Sequence, residues 1–185
     1  MGPVYGIEPF VETGVVAFNI APQRAYLCDK NPYIIALYQG IQNGTITSHI
    51  VREFLEFHGE KLRQQGAVYY KEMRDKFNEN GDLLHFLFLN RSDFNGMIRF
   101  NRHGKFNVSF CQKPNRFAKA YITKICNQVA SIAKVMQGKD WTFERCLWQK
   151  AFEGATQNDY TILIRLISDE IHPMSMSGQN LKLLN

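Results

Sequence analysis

Between Asn90 and Lys124 the sequence interleaves arginines with aromatics and amides, residue types that can grip phosphates and read the edges of nucleobases. Its centre is Leu89-Asn90-Arg91-Ser92-Asp93-Phe94-Asn95-Gly96-Met97-Ile98-Arg99-Phe100-Asn101, followed by Gly104-Lys105-Phe106-Asn107-Val108. Over residues 90–124, eight Lys/Arg (91, 99, 102, 105, 113, 116, 119 and 124) face one acid, Asp93. The local charge of +7 exceeds the +5 of the whole chain, so the remainder sums to −2 and the positive charge is placed rather than spread. A charge run alone also describes a solvated face. That description leaves unexplained why the arginines alternate with Phe94, Asn95, Phe100 and Asn101.

A second constellation is Glu8-Pro9-Phe10-Val11-Glu12-Thr13-Gly14, a turn leading from a strand into a helix, with Asp29 fifteen residues beyond Gly14 at the end of the next strand. In an open α/β sheet, ligands sit outside the carboxyl ends of the strands, and an acid there accepts hydrogen bonds from ribose hydroxyls. The turn is not GxGxxG and carries no pyrophosphate signal. An ordinary turn followed by a helix-capping Asp is the other reading. No nucleophile is paired with a base, and neither HExxH nor a P-loop occurs. Four cysteines (28, 111, 126 and 146) form no CxxC pair and five histidines show no ligand spacing, so no metal site is expected. Unpaired thiols in a reduced cytoplasmic compartment are the simplest expectation.

These residues need a scaffold. A 45% apolar fraction in 185 residues suits one domain, or one domain with an insertion. No run of eighteen apolar residues and no secretory pattern occurs, so no membrane partner is expected, and a pI near 9.0 leans toward a polyanion. Strands are predicted over 4–10, 25–28, 141–143 and 160–166. Helices are predicted over 15–20, 32–42 (Asn31 as cap, Pro32 at its first position), 47–65, 67–78, 83–89 and 117–136. The apolar stripes expected are Ile50, Phe54, Phe57 and Leu62 in one helix, and Ile122, Ile125, Val129, Ile132 and Val135/Met136 in another. Residues 168–185 read as a frayed tail. Alternation of strand and helix at the start, with strands returning near the end, indicates an α/β sheet interrupted by an inserted helical module.

The order Glu8-Pro9-Phe10 with Gly14, Asp29-Lys30-Asn31-Pro32, then Leu89-Asn90-Arg91, Phe94-Asn95-Gly96, Arg99, Asn101, Gly104 and Phe106-Asn107-Val108 resembles the Dam-type adenine-specific (N6) DNA methyltransferases. The resemblance covers about residues 4 to 160. It implies a Rossmann-like, S-adenosylmethionine-dependent α/β domain with an inserted helical DNA-recognition module, acting on adenine N6 in duplex DNA after the base is flipped out. Carried over, Glu8, Pro9, Phe10, Gly14 and Asp29 form the cofactor pocket, with Asp29 on the ribose. Arg99 reads a guanine through O6 and N7. Phe94 wedges at the displaced base step, with Asn95 and Met97 helping define the site. Asn90, Asn101 and Asn107 belong to the same DNA-binding set, and Arg91, Arg102, Lys105 and Lys113 contact phosphates. GATC is the family's common target, and a cognate restriction endonuclease is a partner only in the functional sense. The implied division is 1–46 for cofactor, 47–137 for the insertion with target recognition at 89–116, 138–167 for the return to the sheet, and 168–185 as tail.

The chain departs from the family pattern. Glu12 stands where the family has Gly, Ser109 replaces a Pro, and a Lys-Trp-x-Gly-Gly-Lys segment before the first strand is missing. No Asp-Pro-Pro-Tyr, the family's catalytic motif, follows Asn158-Asp159-Tyr160, so no catalytic residue is assigned. One allowed coding of residues 160–167, TAT ACT ATC TTG ATC CGC CTT ATA, reads Tyr-Tyr-Leu-Asp-Pro-Pro-Tyr once its first two bases are skipped. We read this as a base lost near codon 160; a diverged strand is the other reading. The expected domain is thus incomplete at both ends and catalytically inactive, and a non-catalytic DNA-binding remnant is the alternative function.

Overall fold

Short apolar strands and capped amphipathic helices account for the architecture. The computed structural model describes residues 6–153, 155 and 159–161. Strands β1 (Gly6–Glu8), β2 (Arg24–Asp29), β3 (Asp140–Arg145) and β4 (Tyr160–Thr161) form one sheet in the order β3-β2-β1-β4. All three pairings are parallel: Ile7 lies opposite Tyr26 and Thr161, and Leu27 opposite Phe143. Parallel neighbours need crossovers. Helix α1 (Val15–Ile20) links β1 to β2, whereas α2 (Pro32–Gln42), α3 (Ser48–Gln65), α4 (Ala67–Asn80), α5 (Leu83–Ser92) and α6 (Lys119–Met136) all intervene before β3.

Local chemistry sets the helix ends. Asn31 accepts the Tyr33 N–H, with Pro32 beginning α2; Thr47 caps α3 and Asp82 caps α5. Gly81 ends α4 in the left-handed region.

Strand alternation divides the sheet's burial. Ala25, Leu27, Trp141 and Phe143 join the large core beneath the helices, whereas Ile7 and Cys28 join a small cluster with Cys146 and Ala151 on the other face. The large core is continuous with the helical residues Leu55, Tyr70, Phe77 and Phe88.

Several expectations are corrected. The first strand ends at Glu8 rather than running to residue 10, because Pro9 cannot donate to a ladder, and residues 4 and 5 of the predicted strand lie outside the described residues. A short helix, α7 (Trp148–Ala151), was not predicted. In α3 the buried stripe is Val51, Leu55, Gly59 and Leu62, while Ile50 and Phe57 are exposed. In α6, Ile122, Val129 and Met136 are buried as expected, but Cys126 takes the place of Ile125. The cysteines are not all thiols: Cys28 and Cys146 are joined in a disulfide across the ends of β2 and β3, leaving Cys111 and Cys126 free. Of the predicted 160–166 strand only Tyr160–Thr161 is described; the shifted-frame reading and the tail lie outside the described residues. Among the described residues, no helix is long and apolar enough to cross a membrane.

Candidate functional site

The carboxyl ends of β1 and β2 bring four polar side chains together. Glu8 closes β1 fully buried, and its Oε2 accepts the Ala17 N–H at 3.3 Å. Burial outweighs that bond and pushes its pKa up to about 7. Asp29 closes β2, and its two oxygens accept the Glu12 N–H at 3.1 Å and the Asn31 N–H at 2.7 Å. It therefore ties the turn after β1 to the start of α2. The Tyr38 hydroxyl donates to the Glu12 carbonyl at 3.2 Å; burial, with the Glu8 and Asp29 charges, raises its pKa above the ordinary phenol value.

Pro9 is buried and Phe10 half-buried along this turn. Gly14 is required twice, by a φ of +62° and because a Cβ there would stand 2.3 Å from the Phe18 ring. A carboxylate at the end of β2 beside such a turn has the chemistry that ribose hydroxyls require. It lies at the switch point, where the chain leaves β1 for β2 on one side and returns as β4 on the other. In position and donor type these residues fit a nucleoside cofactor.

Glu12 occupies the left-handed region at φ +37°, with its carboxyl pKa raised by partial burial and by the neighbouring Asp29 charge. That backbone geometry explains why glycine suits the position. Glu12→Gly should stabilise the chain by about 0.5–1 kcal/mol, because relief of about 1–2 kcal/mol of left-handed strain exceeds glycine's added freedom when unfolded. Urea unfolding measures it; an unchanged or lower midpoint overturns the account.

Residues 92–111 form an irregular antiparallel ribbon. Phe94 N–H donates to Ser109 O at 2.9 Å, Asn107 N–H to Arg99 O at 3.2 Å, and Asn101 N–H to Lys105 O at 2.9 Å. One side is apolar and sunk into the core through Phe106, Val108 and Phe110. Helix α4 pins it. The Asn78 amide takes both backbone groups of Phe106, at 2.7 and 3.1 Å, while the Tyr70 hydroxyl and Arg74 Nη1 donate to Val108 O at 2.9 and 3.3 Å. Lys105 Nζ adds a bond to the Asn78 carbonyl.

The other side stands in water. All six residues 94–99 are exposed, Phe94 by 54% and Met97 and Ile98 by 41% each. Large apolar groups held in solvent on a rigid base are suited to stacking or wedging. Asn95 and Gly96 both adopt positive φ, and the Asn90 amide holds the Gly96 carbonyl at 3.0 Å. Arg99 donates to Asn107 through Nε (3.0 Å, side chain) and Nη2 (3.2 Å, carbonyl), which aims its guanidinium and leaves further N–H groups for a ligand. Asn101 Oδ1 accepts the N–H groups of His103 and Lys105, shaping the tip turn. Arg102, Lys105 and Lys113 are exposed, and Arg91 is half-buried.

Most of the DNA-binding set proposed from sequence gathers on this ribbon: Phe94, Asn95, Met97, Arg99, Arg102 and Lys105 are exposed on it, Asn101 shapes its tip and Asn107 aims Arg99. Asn90 braces it from α5, Arg91 is half-buried on α5 and Lys113 lies just beyond it. The cofactor set sits on separate elements. Tyr33 links them: it lies two residues after Asn31, which Asp29 holds, and its ring stacks on Phe100 at 5.4 Å. Sequence reasoning missed Tyr33, Tyr38, Tyr70, Arg74 and Asn78, none of which belongs to a local motif. It also assigned nothing to Asp93, although a lone acid in a basic block was a visible signal.

The chain is therefore a parallel α/β protein with buried polar groups at its switch point, where open α/β sheets form a ligand crevice, and a basic ribbon tipped with aromatic and apolar side chains. Residues 5–159 match the D12 class of N6 adenine-specific DNA methyltransferases, and the chain belongs to that family. It is 35% identical to a DNA adenine methylase of Vibrio cholerae over 108 residues, covering 56% of this chain and 38% of that protein. The DNA adenine methylase of Escherichia coli K12 matches at 34% over 122 residues, covering 62% and 40%. The type II methyltransferase M1.LlaDCHI of Lactococcus lactis subsp. cremoris matches at 26% over 164 residues, covering 83% and 53%. The chain spans about half, or less, of the length of these relatives.

Proposed function

We propose that this chain is the cofactor-binding and target-reading part of a Rossmann-like adenine-specific DNA methyltransferase, with residues 47–137 as its recognition insertion. The observation that carries the reading is the exposed tip 94–99, presented on a ribbon whose inner side is locked into the core. Arg99, already aimed by Asn107, reads a guanine; Phe94 fills the step vacated by the flipped adenine, and Asn95 and Met97 contact its neighbours. Arg102, Lys105 and Lys113 supply phosphate contacts.

Asp29 accepts the ribose hydroxyls of S-adenosylmethionine, while the bonds it makes to Glu12 and Asn31 fix the surrounding turn. Glu8, Pro9, Phe10 and Gly14 form the floor and wall of that crevice. When bound, the cofactor supplies a methyl group activated by a sulfonium. The 185 residues contain no Asp-Pro-Pro-Tyr to hold the adenine amine, so the chain reads DNA without methylating it. A companion endonuclease, where the gene belongs to a restriction–modification pair, is a partner in function only.

Fluorescence anisotropy with a labelled duplex containing GATC tests this. Binding should weaken with salt at a slope steeper than about −3, and Arg99→Ala should cost about 1–3 kcal/mol of preference over a scrambled duplex with the slope retained. Labelled cofactor should transfer no tritium to the DNA. Absence of binding at low salt ends the DNA reading; detectable transfer ends the claim of inactivity.

A further inference from the structure

Beside the recognition turn, α5 and α6 enclose a groove of about 540 Å³ whose lining includes Asn95 and Gly96 of the turn and Arg91, Arg116, Tyr121 and Lys124. Two of its cations are locked in an unusual way. Arg91 Nε donates to the Arg116 carbonyl at 3.3 Å, and Arg116 Nε donates to the Arg91 carbonyl at 3.0 Å. Each guanidinium is thus held beside the other by the other's backbone. Their mutual repulsion registers in Arg91, whose pKa is lowered first by burial and then by Arg116.

Nothing local neutralises the pair in full. Among the described residues, none of Arg91, Arg116 and Lys124 lies within 4.0 Å of a carboxylate oxygen. The acid that faces Arg116 is the buried Asp93, whose own burial works against its ionised form. The Arg91 guanidinium carbon also rests 4.5 Å from the centroid of the Tyr121 ring, a half-exposed aromatic that holds it beside α6. Two forks held together at a cost in repulsion, with their outer N–H groups turned to an open groove, make a site for an oxyanion with several acceptors.

We propose that the Arg91–Arg116 pair, with Lys124 and Tyr121, grips the phosphodiester backbone of the duplex outside the bases read by Arg99. Helix α6 thereby becomes a second DNA-contacting element, adjoining the recognition turn. This rests on the reading of the ribbon as a DNA reader. The occupant follows from charge and continuity: the groove shares Asn95 and Gly96 with the exposed tip, so a duplex seated on that tip runs its backbone past α6.

The inference separates two kinds of residue. Arg99 controls which sequence is bound, whereas the groove controls how strongly any sequence is bound and how steeply salt weakens it. It also predicts a length dependence, because a duplex trimmed to the target places no phosphate in the groove.

The test is anisotropy across a salt series with the whole chain, using GATC duplexes of about 20 and about 8 base pairs. Two variants are used. Lys124→Glu lies on an exposed turn of α6 and leaves the packing alone; Arg116→Ala removes one half of the pair, with its melting temperature compared to the parent. On the long duplex each should weaken binding about five- to tenfold and flatten the salt slope by about one, with preference for GATC kept. On the short duplex both should bind like the parent chain. An unchanged slope on the long duplex with Lys124→Glu overturns the groove while leaving the ribbon's role standing. Failure of the parent chain to bind either duplex overturns the DNA reading itself, and the groove with it.

Discussion

Asp93→Asn is expected to stabilise the chain at pH 8 by about 2 kcal/mol and to change it little at pH 4. Asp93 is fully buried at the base of the recognition turn, and neither carboxylate oxygen makes a well-formed hydrogen bond, the Gly96 and Met97 amides facing it only loosely. Its backbone is nonetheless fixed, donating to Leu89 O at 2.8 Å and lying opposite Phe110 in the ribbon. Burial raises its pKa from 3.8 to about 7; the backbone amides of Gly96 and Met97 and the Arg116 guanidinium pull it back only in part. The Tyr70 hydroxyl, which also faces this charge, is committed to the Val108 carbonyl.

A carboxyl whose folded pKa lies above its unfolded one contributes stability that is fully present below the unfolded value. That stability is lost as pH rises through the folded value. For Asp93 the loss therefore runs from about pH 4 to above pH 7, and Glu8, raised to about 7 by its own burial, adds a loss of the same sign. The full displacement would be worth about 4 kcal/mol; screening by water and by Arg116 brings it to about half. Asparagine keeps the shape and removes the ionisation. Urea midpoints at pH 4, 6 and 8 should show the variant gaining on the parent as pH rises, with Glu8 still giving the variant a residual decline. A pH-independent difference would show that Asp93 is not held unpaired in the folded chain.

What could be read in advance was what the chain encodes locally. Asn31-Pro32 announces the start of α2 because cap and first-turn residue are adjacent, and the alternation of Arg99 with Phe94, Asn95 and Asn101 marks out the segment that the fold exposes as a basic ribbon tip. Contacts made across the fold were invisible. Asn78, Tyr70 and Arg74 reach the ribbon over separations of 28 to 38 residues, and each looks like an ordinary residue of an amphipathic helix. Cys28 and Cys146 are 118 residues apart, and only the parallel register of β2 and β3 brings them together. The stripe of α3 was misplaced for a related reason. Counting large apolar side chains selects Ile50 and Phe57, whereas the helix packs through a glycine that such counting omits.

That glycine yields the second large effect. Gly59 faces Phe117, and a Cβ built at position 59 would lie 2.4 Å from the Phe117 Cβ and 3.1 Å from its Cγ. The obstacle is the root of a side chain, which cannot swing away without moving its backbone. Phe117 cannot retreat either, since its ring stacks on Phe88 at 4.8 Å and 10°. In a free helix Gly→Ala would gain about 1 kcal/mol. Here Gly59→Ala should cost about 2–3 kcal/mol, because overpacking at a close helix contact outweighs propensity. The strain would fall on the short Pro114–Phe117 turn and so on Arg116, the residue beside Phe117. Gly59→Ala should therefore also weaken DNA binding, more at low salt than at high salt, because a lost phosphate contact flattens the salt dependence. A double-mutant cycle decides the cause. In a Phe117→Ala background the clash is gone, and Gly59→Ala should become neutral or mildly stabilising, giving a coupling of about 2 kcal/mol. Additive losses would place the cost in α3 itself and sever the link from Gly59 to the DNA groove.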